Sequence, residues 1–473
     1  MKKQDNSKKE GGLNRRYACS LLLIAFLIII GFTYTACGVD PLPEKEEDYI
    51  VFWTTMGPPS YDYLKEIVNN YNATEPAIKV KLARVDDSST NISCLLDAIK
   101  SGNAPDIYML DRFTVAQRAA EGILQDLTPH LGKFNMHDYQ DFATEETQFR
   151  KRTYAIPFDA DVRGLYYNKA FIREVDISVL SSVPASPIDT ETGLPMYNDL
   201  VEFMNWVNGP ITHEHLKEIA KEIDKEENGS YTKVGFIPQM DQGNPYTWGY
   251  CFGGEFANND GTQVTPDDPN VLAAFDFLYN WNNDMDIAKV QSFLDNYNYF
   301  NDLGDYATHP FVKEDVAMTI NGDWFMDVLK EYSHIEYGVT YIPVPNAGGK
   351  SSTWAGGYAW GIPKGSNKAA EAIKFIAYGC GSNGQRIYCK KFNKAPTLYS
   401  LAIEDDFYAP AQPYFQEVLS SAKIRPPLPV GASYWDELCK AQDEVVVKGA
   451  LPATALGEVK TVIQPMLNEI LQR

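Results

Sequence analysis

The feature that most constrains the fold is an alternation of strand-like and helix-like segments between residues 49 and 111. The runs YIVFWTT, AIKVKLARV and PDIYML predict three strands, and SYDYLKEIVNNY and NISCLLDAIKSG, which lie between them, predict helices. This order is typical of a parallel sheet covered by helices. We therefore predict an α/β fold whose ligand-binding loops, TTMGPPS and DRF, follow the carboxyl ends of strands.

The length of the chain predicts two lobes. It has 473 residues, 44% of them hydrophobic, which is more than one typical core accommodates. The α/β pattern also recurs, because TPDDPNVLAAFDFLYNW and SNKAAEAIKFIAYG predict helices while VAMTI and YGVTYIP predict strands. Residues 177–208 are rich in Ser, Pro, Thr and Asn and lack a clear period, so we interpret them as a surface insertion.

The N-terminus has the pattern of an export signal. Lysines and arginines within residues 1–16 precede an apolar run at 17–32, which ends in TYTACG. This end resembles a lipobox, where the signal is cut before a cysteine that is then lipidated, although Tyr34 stands where an aliphatic residue is usual. We predict a signal peptide at 1–36, a lipid on Cys37 and a polar tether over 37–48. The alternative is an uncleaved membrane anchor, and both place the chain on the extracytoplasmic face of a bacterial cell membrane.

The charge of the mature chain excludes some partners. Without the six basic and two acidic residues of the signal, 36 basic and 61 acidic residues remain, a formal charge of −25. Such a surface repels nucleic acid and anionic headgroups, so no nucleic acid is expected and membrane attachment must come from the lipid. The acidity also disfavours uronic acids as ligands, although one local arginine can overturn a global charge.

The candidate motifs for cofactor and metal binding are each incomplete. The stretch NAGGKSS matches the end of a phosphate-binding loop, but Val344 stands where its first glycine belongs, so a turn is expected. His213 and His215 are two apart on a predicted helix and therefore face different directions, which favours solvated side chains over metal ligands. Asp260 and Gly261 predict a hairpin turn rather than a calcium loop. We expect no cofactor and no metal.

Catalytic patterns are equally weak. The sequence contains no G-x-S-x-G elbow. Glycoside hydrolysis by a pair of carboxylates remains an open alternative, because acidic residues are abundant. The five cysteines beyond Cys37 are widely spread and odd in number, which favours buried thiols and leaves Cys380 and Cys389 as a candidate pair.

Aromatic residues stand beside glycines and carboxylates in four clusters. These clusters are PYTWGYCFGGEF, NGDWFM, TWAGGYAW and ASYWDEL, in a chain that is 13% aromatic. Sugars present C–H faces that stack on aromatic rings and hydroxyls that pair with carboxylates, amides and arginines. Any single aromatic residue is more often part of a core, but the four clusters together predict a carbohydrate cleft.

At these clusters the chain resembles the extracellular solute-binding proteins that include maltose-binding protein, the sugar receptors of ABC importers. The motifs GNAPDIYMLDRF, YAIPFDADVRGLYYNKAF, DVAMTINGDW, YGVTYIPVP and GGYAWGIPKGSNKAAEAIKFI stand in the family's order. The resemblance implies two α/β lobes that close on a ligand by a hinge. It places the first lobe at 49–157 plus 358–424 and the second at 158–357 plus 425–473. Where the family has Pro-x-Thr-Trp, this chain has His213 in the tryptophan's place.

The resemblance also implies a set of ligand-binding residues. The set combines carboxylates, an arginine, aromatic platforms and two glycines at a crossing between lobes, and it consists of Asp111, Arg112, Asp161 with Asp159 as the near alternative, Tyr246, Trp248, Trp324, Gly356, Gly357, Tyr358 and Trp435. Trp354 is a further possible contact, whereas Trp360 alternates into a strand and is expected in the core. The loop TTMGPPS matches the family's first cleft loop, but Met56, Gly57 and Pro58 replace its usual polar residues.

These features together predict a monomeric, lipid-anchored protein that binds a sugar, an oligosaccharide in particular, and delivers it to ABC permease subunits without changing it. Two alternatives remain open at this point. One is a secreted glycan-active enzyme, and the other is a sugar receptor that signals to a membrane sensor kinase.

Overall fold

The structure is a computed structural model that describes residues 49–190, 195–197, 200–206, 209–297, 306–404 and 413–473. The predicted signal peptide, Cys37 and the tether lie outside these residues. Within the described part of the chain, no helix is both long enough and apolar enough to cross a membrane.

Helices and strands alternate along most of the described chain. The strands are β1 (Tyr49–Thr54), β2 (Lys79–Arg84), β3 (Ile107–Asp111), β4 (Gln148–Phe149), β5 (Arg152–Thr153), β6 (Ala155–Pro157), β7 (Asp159–Ala160), β8 (Arg163–Asn168), β9 (Lys225–Glu227), β10 (Ser230–Phe236), β11 (Val316–Gly322), β12 (Tyr337–Thr340), β13 (Tyr358–Gly361) and β14 (Ala395–Pro396). The α-helices are α1 (Ser60–Asn72), α2 (Ser93–Lys100), α3 (Val115–Ala120), α4 (Asp141–Glu145), α5 (Lys169–Glu174), α6 (Leu200–Trp206), α7 (His213–Ile223), α8 (Pro245–Cys251), α9 (Pro269–Met285), α10 (Ile287–Leu294), α11 (Phe325–Leu329), α12 (Ala369–Gly379), α13 (Ser382–Lys391), α14 (Tyr399–Ala402), α15 (Pro413–Leu419), α16 (Gly431–Val446) and α17 (Pro452–Gln472).

The first sheet has the strand order β2-β1-β3-β13-β6. Its first three strands are parallel, as the alternating segments predict, and β13 lies antiparallel between β3 and β6. Apolar side chains of β1 and β3 pack with α1, α12 and α13 on one face, where Trp360 is fully buried. The prediction that Trp360 belongs to the core is confirmed.

The second sheet has the order β12-β8-β11-β10-β9. Strands β10 and β11 are parallel, while β8 runs antiparallel to both β11 and β12. Its main core includes side chains of α7, α8, α9, α16 and α17. The chain thus folds into two α/β lobes, each built on its own sheet.

The order of the strands shows where the chain crosses between the two sheets. Strand β6 belongs to the first sheet and β8 to the second, and the chain returns to the first sheet at β13. The short ribbon of β7 and β14 lies at the crossing. One assignment needs correction, because α15, expected in the first lobe, packs against the second sheet. The Tyr414 ring contacts Tyr341, and its hydroxyl donates to the Arg163 carbonyl at 3.2 Å.

The segment 177–208 is not merely a surface insertion. Although its Ser- and Pro-rich parts are exposed, Leu180, Val183, Tyr197 and Phe203 are buried in the core of the second lobe. Helix α6 also forms within it, so apolar side chains spaced along an irregular sequence attach the segment to the lobe.

The two histidines of α7 are also placed differently from the sequence expectation. The His213 ring stacks on Phe277 with centroids 4.3 Å apart, and its Nε2 lies 3.1 Å from the Pro343 carbonyl oxygen. His215 caps the helix, its Nδ1 accepting the Thr212 N–H at 3.3 Å. The expectation of solvated side chains is therefore wrong, because an aromatic cavity and a helix cap take up both rings.

Two smaller expectations concern local geometry. An antiparallel bridge between Ala257 and Val264 encloses Gly261, whose φ is +64°, so the hairpin turn is confirmed. No disulfide joins the cysteines in the described part of the chain, and Cys380 and Cys389 are both buried as thiols.

Candidate functional site: the cleft between the lobes

A cleft of about 510 Å³ lies between the two lobes. The first lobe contributes the loops that follow β1, β2 and β3, and the second contributes residues after β10 and β11. The carboxyl ends of parallel strands in both sheets thus face one space, which is where α/β sheets bind ligands. Its wall includes Met56, Gly57 and Pro58 of the TTMGPPS loop, so this loop is placed at the cleft despite its apolar composition.

Three of the aromatic residues expected at the site are half-buried and present their rings to the cleft. They are Trp324 after β11, Tyr358 at the start of β13 and Trp435 in α16. The Trp435 ring lies nearly parallel to Tyr246, with an interplanar angle of 12° and centroids 5.8 Å apart. Tyr246 itself is only 2% exposed, so it lies behind the platform and holds Trp435 in place.

Trp354 is fixed within the wall rather than offered as a platform. Its indole N–H donates to Thr247 Oγ1 at 2.9 Å, and the residue is 2% exposed. The guanidinium of Arg163 lies 3.3 Å from the centre of its ring, and that of Arg425 lies 4.4 Å away. These cations occupy the surface on which a sugar could stack.

Buried ion pairs form the floor of the cleft. Lys394 Nζ lies 2.7 Å from Asp159 Oδ2 and 2.9 Å from Asp161 Oδ2, and Arg163 forms an ion pair with Asp161. Burial opposes ionisation of Asp161, but Lys394 and Arg163 outweigh it and hold the pKa of Asp161 below its usual range. Burial likewise opposes the charge of Lys394, yet Asp159 and Asp161 keep its pKa well above the ordinary value. The lysine is therefore a cation between two carboxylates.

Asp323 adds a third carboxyl group beside this pair. Burial and the nearby Asp161 raise the pKa of Asp323 well above its ordinary value. Its Oδ1 is buried and has no hydrogen-bond partner among the described residues. Burial therefore disfavours the ionised form of this carboxyl, although Lys394 and Arg163 lie close enough to act in the opposite direction.

Asp111 and Arg112 have separate roles. Asp111 Oδ1 accepts a hydrogen bond from Arg425 at 2.7 Å, and the Asp111 side chain stays 15% exposed in the cleft wall. Arg112 is fully buried, pairs with Glu146 at 2.9 Å and donates to the carbonyls of Asp159 and Gly356. Asp111 can therefore contact a ligand, whereas Arg112 ties the first lobe to the crossing strands.

The two glycines lie at the crossing, as the resemblance implies. Gly356 pairs with Asp161 through backbone hydrogen bonds, and Gly357 lines the cleft. The φ of Gly357 is +129°, and a Cβ on it would come within 2.2 Å of the Asp159 carbonyl oxygen. Only glycine fits this position without moving the crossing strand.

The structure does not bring every expected residue to the cleft. Trp248 is fully buried in the second lobe, where its indole N–H donates to the Pro238 carbonyl at 2.8 Å. Sequence reasoning also missed polar side chains that line the cleft, namely Asp87, Arg163, Asp241, Gln242, Asn321, Lys394 and Arg425. Arg163 stands within a quoted motif and could have been found, but Lys394 lies 233 residues from its partner Asp161 and only the fold joins them.

The chemistry of the cleft is that of recognition. Its rings can stack on an apolar face, and its carboxylate–cation pairs can each accept from and donate to a hydroxyl group. Among the described residues, no cluster of three or more His, Cys, Asp and Glu side chains is arranged to hold a metal ion. Two α/β lobes, chain crossings between them and a polar, aromatic cleft define a hinged ligand-binding protein.

Comparison with known proteins then assigns the family. The sequence profile of the bacterial extracellular solute-binding proteins matches residues 57–385, and the chain belongs to this family. A maltotriose-binding protein of Pyrococcus abyssi is 21% identical over 386 residues, which cover 80% of this chain and 68% of that protein. A multiple sugar-binding protein of Streptococcus mutans is 21% identical over 415 residues, covering 82% of this chain and 85% of that one.

Solved structures confirm the predicted two-lobed fold. CpMnBP1 with mannobiose bound superimposes with a TM-score of 0.72 at 22% identity, covering 88% of this chain and 99% of the other. The maltose/maltodextrin-binding domain MalE of Bdellovibrio bacteriovorus, bound to maltotriose, gives a TM-score of 0.67 at 18% identity, with 88% and 99% covered. The curated relatives are binding proteins, which agrees with the expectation of a non-enzymatic role.

Proposed function

We propose that the protein is a lipid-anchored receptor that binds a short oligosaccharide outside the cytoplasm and delivers it to the permease subunits of an ABC importer. The observation that carries this proposal is the half-buried ring of Trp435 beside the Asp111–Arg425 pair in one cleft wall, where the Arg425 guanidinium lies 5.5 Å from the centre of the ring. A ring next to a carboxylate and a guanidinium matches the apolar face and hydroxyl rim of a pyranose.

The size of the cleft supports a ligand of limited length. A cavity of about 510 Å³ falls within the range of sites for small molecules, so it suits an oligosaccharide of about two or three units rather than a polymer. The ligands of the relatives and similar structures, among them maltotriose and mannobiose, support the same class.

A calorimetric screen of mono- and oligosaccharides tests the binding proposal. The purified full-length protein is kept in a detergent without a sugar headgroup, since a glycoside detergent would compete for the cleft. We expect one-to-one binding of at least one di- or trisaccharide, with the sugar recovered unchanged after long incubation. Failure of every sugar to bind would contradict the receptor role, and formation of a hydrolysis product would favour a glycan-active enzyme.

Membrane attachment needs its own test. If Cys37 carries the lipid, Cys37→Ala should abolish incorporation of a labelled fatty acid. A Cys439→Ala variant serves as the control, because Cys439 lies in α16, far along the chain from the export signal. Unchanged labelling of the Cys37→Ala protein would contradict lipidation at this residue.

A further inference from the structure

Among the residues that the structure describes, every cation that lines the cleft is already paired with a carboxylate. Arg425 lies 2.7 Å from Asp111, Lys394 lies 2.7 and 2.9 Å from Asp159 and Asp161, and Arg163 also binds Asp161. Arg425 and Arg163 are only 2% and 4% exposed, respectively. An anionic ligand that approached these groups would meet cations that are already neutralised, together with carboxylates that repel it.

Carboxylates also outnumber these cations around the cleft. Asp87 and Asp241 line it in addition to Asp111 and Asp161, which pair with the cations. Asp87 accepts hydrogen bonds from the Cys94 N–H at 2.8 Å and the Tyr108 hydroxyl at 3.0 Å, and Asp241 accepts from Thr319 at 2.5 Å. Asp241 Oδ1 also lies 2.9 Å from His309 Nε2. Among the described residues that line the cleft, four carboxylates therefore face three cations.

We infer that the cleft selects uncharged sugars and rejects those that carry carboxylates. This inference rests on the proposed function and specifies its substrate class. A sugar hydroxyl can donate to the exposed oxygen of Asp111 while accepting from Arg425, so it uses the pair without breaking it. The carboxylate group of a uronate can only accept hydrogen bonds, and it meets Asp111 and Asp161 as like charges. The charges of the cleft thus disfavour acidic sugars, as the acidic surface of the protein also does.

Matched pairs of trisaccharides test the inference. Mannotriose and maltotriose are each compared with the analogue whose C6 hydroxymethyl groups are oxidised to carboxylates, with the full-length protein in the same detergent. We expect the better neutral ligand to bind at least about 30-fold more tightly than its acidic analogue at low salt. The difference should shrink as salt is raised, because screening weakens a charge effect and leaves a steric one unchanged.

The outcomes distinguish failure of this inference from failure of the proposed function. Equal or tighter binding of an acidic analogue would overturn the inference and leave a sugar receptor in place. A preference for the neutral sugar that salt does not change would also overturn it, since shape and not charge would then select. If no sugar of either kind binds here or in the calorimetric screen, the proposed function fails and the inference fails with it.

A substitution identifies the group responsible. Asp111→Asn removes the charge that neutralises Arg425, so the ratio of acidic to neutral affinity should rise at least about tenfold. The control is Asp126→Asn, which breaks the exposed Arg152–Asp126 pair outside the residues that line the cleft and should leave the ratio unchanged. An unchanged ratio in folded Asp111→Asn would overturn the role of this pair. The wild-type comparison tests charge selection independently of the variant.

Discussion

The phenolic oxygen of Tyr63 lies 3.1 Å from Oδ2 of Asp327, and this hydrogen bond joins the two lobes beside the cleft. Tyr63 belongs to α1 of the first lobe and Asp327 to α11 of the second. Because the contact needs both lobes to be close, it stabilises the closed arrangement. Burial, together with the Asp327 charge, raises the pKa of Tyr63 to about 12, so the hydroxyl remains a donor at neutral pH.

We expect Tyr63→Phe to weaken sugar binding by about fivefold. The phenyl ring can keep the packing, while the lost hydrogen bond removes about 1 kcal/mol from the closed state alone. Calorimetry measures the affinity, and small-angle scattering reports whether the unliganded protein becomes more open. Tyr71→Phe is the matched control, since Tyr71 lies on the same helix but packs against Phe375 and Tyr378 in the first lobe. Equal effects of the two substitutions would contradict a specific role for the Tyr63 hydroxyl.

Trp324→Ala should reduce sugar affinity by more than about 1 kcal/mol, at least about fivefold, because it removes a half-buried platform from the cleft. The fold should persist, and thermal unfolding of the unliganded variant checks this. If affinity is unchanged in a folded variant, Trp324 is not a ligand contact.

Trp248→Ala should behave in the opposite way. Its side chain is fully buried and donates a hydrogen bond to Pro238, so truncation should lower the free energy of unfolding by about 3–5 kcal/mol. Urea unfolding measures this cost, and sugar affinity of the folded fraction should change little. A large loss of affinity with stability retained would return Trp248 to the set of ligand contacts.

The buried imidazole of His213 should make the stability of the protein depend on pH. Burial lowers the pKa of His213 to about 4, whereas the unfolded chain takes up a proton near pH 6.5. Between these values the unfolded state binds more protons, so the stability due to the neutral ring is present above pH 6.5 and is lost as the pH falls towards 4. The loss attributable to His213 amounts to at most about 3 kcal/mol.

Comparison of the wild type with His213→Phe isolates this contribution. Phenylalanine can occupy the aromatic cavity without titrating, so the variant should lose less stability than the wild type between pH 7 and pH 4. The comparison is necessary because Asp224 changes the stability in the opposite direction. Burial raises the pKa of Asp224 to about 6, so between pH 6 and pH 4 the folded state binds more protons at this group than the unfolded state does. Parallel stability curves for the two proteins would show that His213 does not titrate as expected.

Local patterns were sufficient for most of the fold. The alternating segments between residues 49 and 111 form β1, α1, β2, α2 and β3, because side-chain period and apolar runs report burial directly. Trp360 was assigned to the core for the same reason. Residues 177–208 were interpreted less well, since Tyr197 and Phe203 attach an aperiodic segment to a core that the sequence does not display.

The candidate site was only partly accessible to sequence reasoning. Residue type and order pointed to Asp111, Trp324, Tyr358 and Trp435, and all four line the cleft. The same reasoning could not distinguish Trp354, covered by two guanidinium groups, from an open platform. It also placed Tyr246 and Trp248 at the cleft although both are buried, because an aromatic residue of a core and one of a binding site have the same local sequence signature.

The sequence by itself determined the two-lobed α/β class, the family and the acidic, aromatic character of the protein, because periodicity and composition are local properties. Only the tertiary structure decided which charges meet. Lys394 joins Asp159 and Asp161 from more than 200 residues away, and Arg425 reaches Asp111 across 314 positions. The strength of an ion pair depends on the distance between its charges in space. Residue numbers do not give this distance, because it is set only when the crossing strands bring the two lobes together.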